Sequence, residues 1–135
     1  ICSLRGQGRA FATACLPGGY GQVLGDEVMV ETFALLVGAH FLADYPLQGD
    51  FLARGKSRFS PIPGVPFYHP LAAHSAIHGL FVGLITGSLI LACAETLIHA
   101  FADDQKCAGR ISYNQDQVLH IGCKIVWAIF AGALQ

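Results

Sequence analysis

Between Ala39 and Ser57 the chain reads AHFLADYPLQGDFLARGKS, and it sets His40, Asp44, Gln48 and Asp50 where Leu or Val would be expected. His40 and Asp44 are four residues apart. The same spacing returns at His74/His78 in AHSAIHG, at His99/Asp103 in LIHAFADDQK and at Asp116/His120 in DQVLH. Residues i and i+4 share a helix face, so in a helical segment each pair is a two-residue polar stripe. Imidazole and carboxylate are ligands for zinc, iron and manganese, and helical bundles build one- and two-metal sites from such inward-facing pairs. The candidate metal ligands are therefore His40, Asp44, His74, His78, His99, Asp103 and His120. Glu95 or Asp116 is the candidate general base for a water activated by the metal. Glu95, Gln48 and Gln117 are candidates for orienting the histidines. Any single HxxxD or HxxxH arises often by chance, but four in a chain with six histidines is a far more specific pattern. His69, directly before Pro70, reads as a loop histidine.

A second reading of the same residues stands beside the first. Polar groups in apolar helices also serve as interhelical hydrogen-bond glue, at ~0.6–2 kcal/mol per contact. A His–Asp pair can satisfy itself without a metal. Ionisable groups at membrane depth are nonetheless expensive, and they usually mark a pathway or a site. Two function classes follow. One is a metal-dependent hydrolase acting on an anionic or phosphorylated small molecule or lipid. The other is a non-enzymatic small membrane protein: a transporter, a proton relay or a phage-encoded helper assembled as a homo-oligomer. A relay needs polar groups across the whole membrane, and the stretches VETFALLVG, GLITGSLILA and WAIFAGALQ supply almost none, which favours a one-sided site.

The elements that must position these residues are set by composition and period. In 135 residues, 53% are hydrophobic and 13% charged, with mean hydropathy +0.51. That is room for one domain, and it is too apolar for a typical soluble one. A net charge of −1 offers no basic field for nucleic acid. The five cysteines are odd in number and form no CxxC pair, so they read as reduced packing residues. No GxSxG, P-loop, GxGxxG or HExxH is present.

Four apolar segments follow Met29: Val30–Tyr45, ended by Pro46; Leu71–Gly87, after Pro70; Ser88–Lys106; and Gln115–Leu134, with Asn114 as N-cap. Their lengths of 16 to 20 residues are at the short end of the ~17–25 needed to cross a bilayer. The expected fold class is all-α, a small bundle of about four transmembrane helices in a lipid bilayer, with a buried soluble bundle as the alternative. Residues 1–28, rich in Gly and turn formers and without period, read as an irregular leader before a single domain at 29–135. The first connection carries Arg54, Lys56 and Arg58, the third carries Lys106 and Arg110, and the tight one at Thr86-Gly87-Ser88 carries no base. The positive-inside rule then makes the first and third loops cytoplasmic and brings all four polar pairs to that face. The five basic residues there would attract an anionic head group or phosphate ester.

HFLADYPLQGD, AHSAIHG, LIHAFADDQK and DQVLH together resemble, in order and spacing, the small bacterial and phage membrane proteins catalogued as domain of unknown function 3307. The resemblance covers Met29 to Gln135. It implies an integral protein of the bacterial inner membrane and brings no established activity. One departure is Ala102-Asp103-Asp104-Gln105, where an apolar residue before the aspartate and an aromatic or apolar one after it would be expected. The spacing from His99 favours Asp103 over Asp104 as the inward residue.

Overall fold

The computed structural model describes residues 18–133, and they are all-helical with no strand. Five helices form: α1 (Gly18–Asp44), α2 (Gly49–Gly55), α3 (Tyr68–Thr86), α4 (Leu89–Cys107) and α5 (Tyr113–Ala133). The four long helices close a ring in which α1 packs on α3, α3 on α4, α4 on α5 and α5 on α1. The short α2 lies against α3.

Local chemistry explains most of the boundaries. α3 stops at Gly87, whose φ of 69° is the left-handed conformation that favours glycine at a helix C-terminus. Ser88 then caps α4 by accepting a hydrogen bond from Leu91 N. This makes the tight α3–α4 connection. The start of α5 is a correction: its cap is Ser112, not Asn114. Ser112 N donates to Gln115 Oε1 at 2.8 Å and Gln115 N donates to Ser112 Oγ at 3.3 Å, a reciprocal capping box that satisfies two backbone donors together. The first connection contains α2, with Asp50 in its first turn and Arg54 in its last.

α1 also corrects the expected irregular leader, because it begins at Gly18, well upstream of Met29. Met29 and Phe33 pack against the apolar core. Once a helix is anchored there, each residue added toward the N-terminus gains a backbone hydrogen bond without a new nucleation cost, which outweighs the glycines. The part of the leader before residue 18, with Cys2 and Cys15, lies outside the described residues.

Gly79 sets how closely α3 meets α4. A Cβ there would lie 2.6 Å from the Ala92 carbonyl oxygen and would also collide with the Thr96 hydroxyl. Only glycine permits the approach.

Burial is inverted relative to an ordinary globular protein. Among the described residues, the buried polar and charged ones are His40, Lys56, His74, Ser75, His78, Glu95, His99, Asp103, Asp116, His120 and Lys124, outnumbering the buried apolar ones. Large apolar side chains cover the outside, with Leu84 71%, Leu97 72%, Val118 71% and Ile90 80% exposed. Among the described residues, no single helix is long and apolar enough to cross a membrane, although α1 from Gly25 and α2 together pass that test as a pair bent by 86°. The inward polar rows are what lower the apolar content of each long helix.

Candidate metal centre

Each long helix presents one inward row spaced by four residues. α1 contributes Leu36, His40 and Asp44, α3 His74, His78 and Val82, α4 Leu91, Glu95, His99 and Asp103, and α5 Asp116, His120, Lys124 and Ala128. Because α4 and α5 run antiparallel, the rows meet rung by rung. His99 stacks on His120 with ring centroids 4.0 Å apart, and Glu95 meets Lys124 one turn deeper. Beyond that rung, Leu36, Val82, Leu91, Trp127, Ala128 and Ala131 form an apolar plug. The polar layer therefore lies toward the loop end and is backed by apolar side chains on the other side.

All seven expected ligands are gathered here. His40, His74, His78, His99, Asp103 and His120 are at most 2% exposed, and the Asp44 side chain is 12% exposed. Six of the seven fall into groups whose ligand atoms lie within 4.8 Å of one another: Asp44, His74, His78 and His99; Glu95, His99 and His120; and Asp103, Asp116 and His120. In the first group, His78 Nε2 is 3.1 Å and His74 Nε2 3.3 Å from Asp44 Oδ1, while His74 Nε2 and His99 Nε2 are 3.2 Å apart. Three imidazole nitrogens and a carboxylate oxygen thus converge. His40 belongs to none of the three groups. Its Nε2 lies 3.4 Å from Asp44 Oδ2 and 3.3 Å from Gln117 Oε1, and its Nδ1 is buried without a partner.

The carboxylates differ in how their charge is balanced. Lys124 Nζ donates to Glu95 Oε1 at 2.5 Å, Lys56 Nζ to Asp103 Oδ2 at 2.6 Å, and Lys106 Nζ lies 3.0 Å from Asp116 Oδ2. Asp44 has no lysine. Histidines and the Gln117 amide, which donates to its Oδ2 at 3.0 Å, are what face it. A half-buried carboxylate surrounded by imidazole nitrogens calls for a proton or a metal ion to balance it.

The two residues expected as general bases are placed apart. Both oxygens of Glu95 are engaged, one by Lys124 and the other by Trp127 Nε1 at 2.5 Å, and its Oε1 also lies 3.4 Å from His99 Nδ1. That arrangement suits orienting His99 more than accepting a proton from water. Asp116 sits at the loop end beside His120, its Oδ1 3.2 Å from His120 Nε2.

Three lysines also belong to the centre. Lys124 continues the row Asp116–His120 by four more residues, so the helical period pointed to it. Lys56 and Lys106 were read as free attractants for anions, but Lys56 is 4% exposed and also donates to Gln48 Oε1 at 2.7 Å. Arg58 binds Asp104 at 2.8 Å and Arg110 donates to Gln105 Oε1 at 2.8 Å, while Arg54 is exposed. Asp103 faces inward and Asp104 outward. His69 is exposed at the start of α3, away from the centre. The hydroxyls of Tyr45 and Tyr113 are hydrogen-bonded at the loop end, joining α1 to α5.

A family model described as protein of unknown function (DUF3307) matches residues 32–135. The match spans most of the chain, including all five helices after the first turns of α1, and the chain belongs to this family. Comparison with curated proteins and with solved structures found no match.

Proposed function

We propose that this member of the DUF3307 family is an integral membrane protein whose bundle holds zinc, iron or manganese at its loop end, and that the centre hydrolyses an anionic or phosphorylated substrate. The observation that carries the reading is the convergence of His74, His78 and His99 on Asp44, the one carboxylate of the centre without a lysine. The inverted burial supports a lipid environment, because an outside richer in apolar side chains than the core is stable where hydrocarbon replaces water.

Asp44, His74, His78 and His99 bind the metal, and Glu95 orients His99. A divalent metal in such a set acts as a Lewis acid and lowers the pKa of water. His40, held by Asp44 and Gln117 through Nε2, takes the proton of the attacking water on its free Nδ1. The water oxygen bonds to phosphorus, the bond from phosphorus to the leaving oxygen breaks, and His40 returns the proton to that oxygen. Loops one and three share one end, where Arg58 of loop one pairs with Asp104 in the last turn of α4. The positive-inside rule makes that end cytoplasmic, with Arg54 and Arg110 attracting the anion.

The three lysine–carboxylate pairs favour a second reading, a metal-free helper or transporter in which the polar rows are interhelical glue. Metal analysis of protein purified in detergent without chelator separates the two. The hydrolase reading expects bound zinc, iron or manganese that His74→Ala and His99→Ala remove, together with turnover of phosphate monoesters or diesters lost in His40→Ala. A metal-free protein whose melting temperature ignores all three added ions would overturn it.

A further inference from the structure

Asp103, Asp116 and His120 meet at the loop end of the centre, and none of them belongs to the Asp44–His74–His78–His99 group. All three are at most 2% exposed. Both oxygens of Asp116 and Nε2 of His120 are buried without a hydrogen bond, Oδ2 facing the Lys106 ammonium at 3.0 Å as an ion pair and Oδ1 lying 3.2 Å from Nε2. Buried lone pairs left unmatched are costly, and a carboxylate facing an imidazole nitrogen without hydrogen-bond geometry does not answer them. One cation among Asp103, Asp116 and His120 answers all of them together.

Asp103 also reaches the first group, its Oδ2 lying 3.5 Å from His74 Nε2 and 3.7 Å from His99 Nε2. Lys106 stands at the rim, 3.0 Å from Asp116 Oδ2, on a side chain 29% exposed and flexible enough to swing outward. Lys56, with its side chain 5% exposed and held by both Asp103 and Gln48, stays in place.

We propose that Asp103, Asp116 and His120 form a second divalent-cation position, joined to the first through Asp103, for which Lys106 is a competing cation. The inference rests on the metal reading of the first group and makes the centre dinuclear. Carboxylate and imidazole donors in this ratio suit manganese or iron as well as zinc. Two adjacent ions can hold both the attacking and the leaving oxygen of a phosphate ester.

The test is a titration of the full chain, stripped of metal in detergent, with manganese, read as stoichiometry and by electron paramagnetic resonance for coupling between neighbouring ions. Two equivalents with spin coupling are expected. Asp116→Asn and His120→Gln should each retain one uncoupled equivalent, and His78→Ala should retain the other. Lys106→Met should bind the second equivalent about tenfold more tightly, equivalent to ~1.4 kcal/mol. Because Lys106 is half out of the core, that variant reports even where a buried substitution fails to fold. A single equivalent unchanged in Asp116→Asn, or no gain in Lys106→Met, would overturn the second position while leaving the first standing. Loss of both equivalents in Asp116→Asn would overturn its separateness. No bound manganese, zinc or iron in the wild type would overturn both readings.

Discussion

The Nε2 atoms of His74 and His99 face one another across α3 and α4 at 3.2 Å. Two imidazole nitrogens at this distance either share one proton or turn both lone pairs on one cation. Asp44 and Asp103 both stand beside the pair, Asp44 Oδ1 3.3 Å and Asp103 Oδ2 3.5 Å from His74 Nε2. That negative surrounding favours the cation. The geometry depends on the helix contact at Gly79 and on the partners that hold the carboxylates.

Gln117 touches both His40 and Asp44, so it positions a ligand without being one. Gln117→Ala is expected to weaken metal affinity by about 10–100-fold, as for other groups that orient ligands. His74→Ala should weaken it more. Competition against a chelator of known affinity measures both. Equal losses would place Gln117 in the first sphere.

Lys124 and Glu95 are each about 1% exposed and share a hydrogen bond. Removing one partner leaves a buried charge uncompensated, at a cost of ~3–5 kcal/mol. Lys124→Met should therefore lower thermal stability in detergent strongly, and Lys124→Met combined with Glu95→Gln should recover much of the loss. A double variant no more stable than the single one would show that Glu95 is required by His99 and Trp127 more than by Lys124.

Leu80 and Leu97, near the middles of α3 and α4, are 60% and 72% exposed. If hydrocarbon covers them, Leu80→Lys or Leu97→Lys should disfavour insertion by ~2.5–3.5 kcal/mol, and each should reduce the membrane-extracted fraction. On a water-facing surface the same changes would stay within ~0.5 kcal/mol. Alkaline extraction of membranes followed by immunoblotting distinguishes the two.

Gly79→Ala tests the helix contact. The new methyl meets the Ala92 carbonyl and Thr96, forcing α3 away from α4 and widening the His78–His99 stack from its 3.6 Å centroid separation. Overpacking of this kind costs ~1–3 kcal/mol. Lower melting temperature together with weaker metal binding is expected. Unchanged binding would show that the stack tolerates a shift.

The sequence by itself determined the four long helices in outline and their inward rows, because the four-residue spacing is a local property of the backbone. His40/Asp44, His74/His78, His99/Asp103 and Asp116/His120 each lie on one turn-to-turn line wherever the helix packs. The choice of Asp103 over Asp104 followed from the same spacing. The tight turn at Gly87-Ser88 was equally local. The start of α1 at Gly18 was not, since the core packing of Met29 and Phe33 extends that helix through residues of poor propensity. What only the tertiary structure decided was which charges neutralise one another. Lys56 comes from α2's end to Asp103 on α4, Lys106 from α4 to Asp116 on α5, and Lys124 from α5 to Glu95 on α4. Those pairings depend on ring order and on the axial register of antiparallel helices. No local period encodes them, and it is by them that Asp44 is the carboxylate left to the histidines.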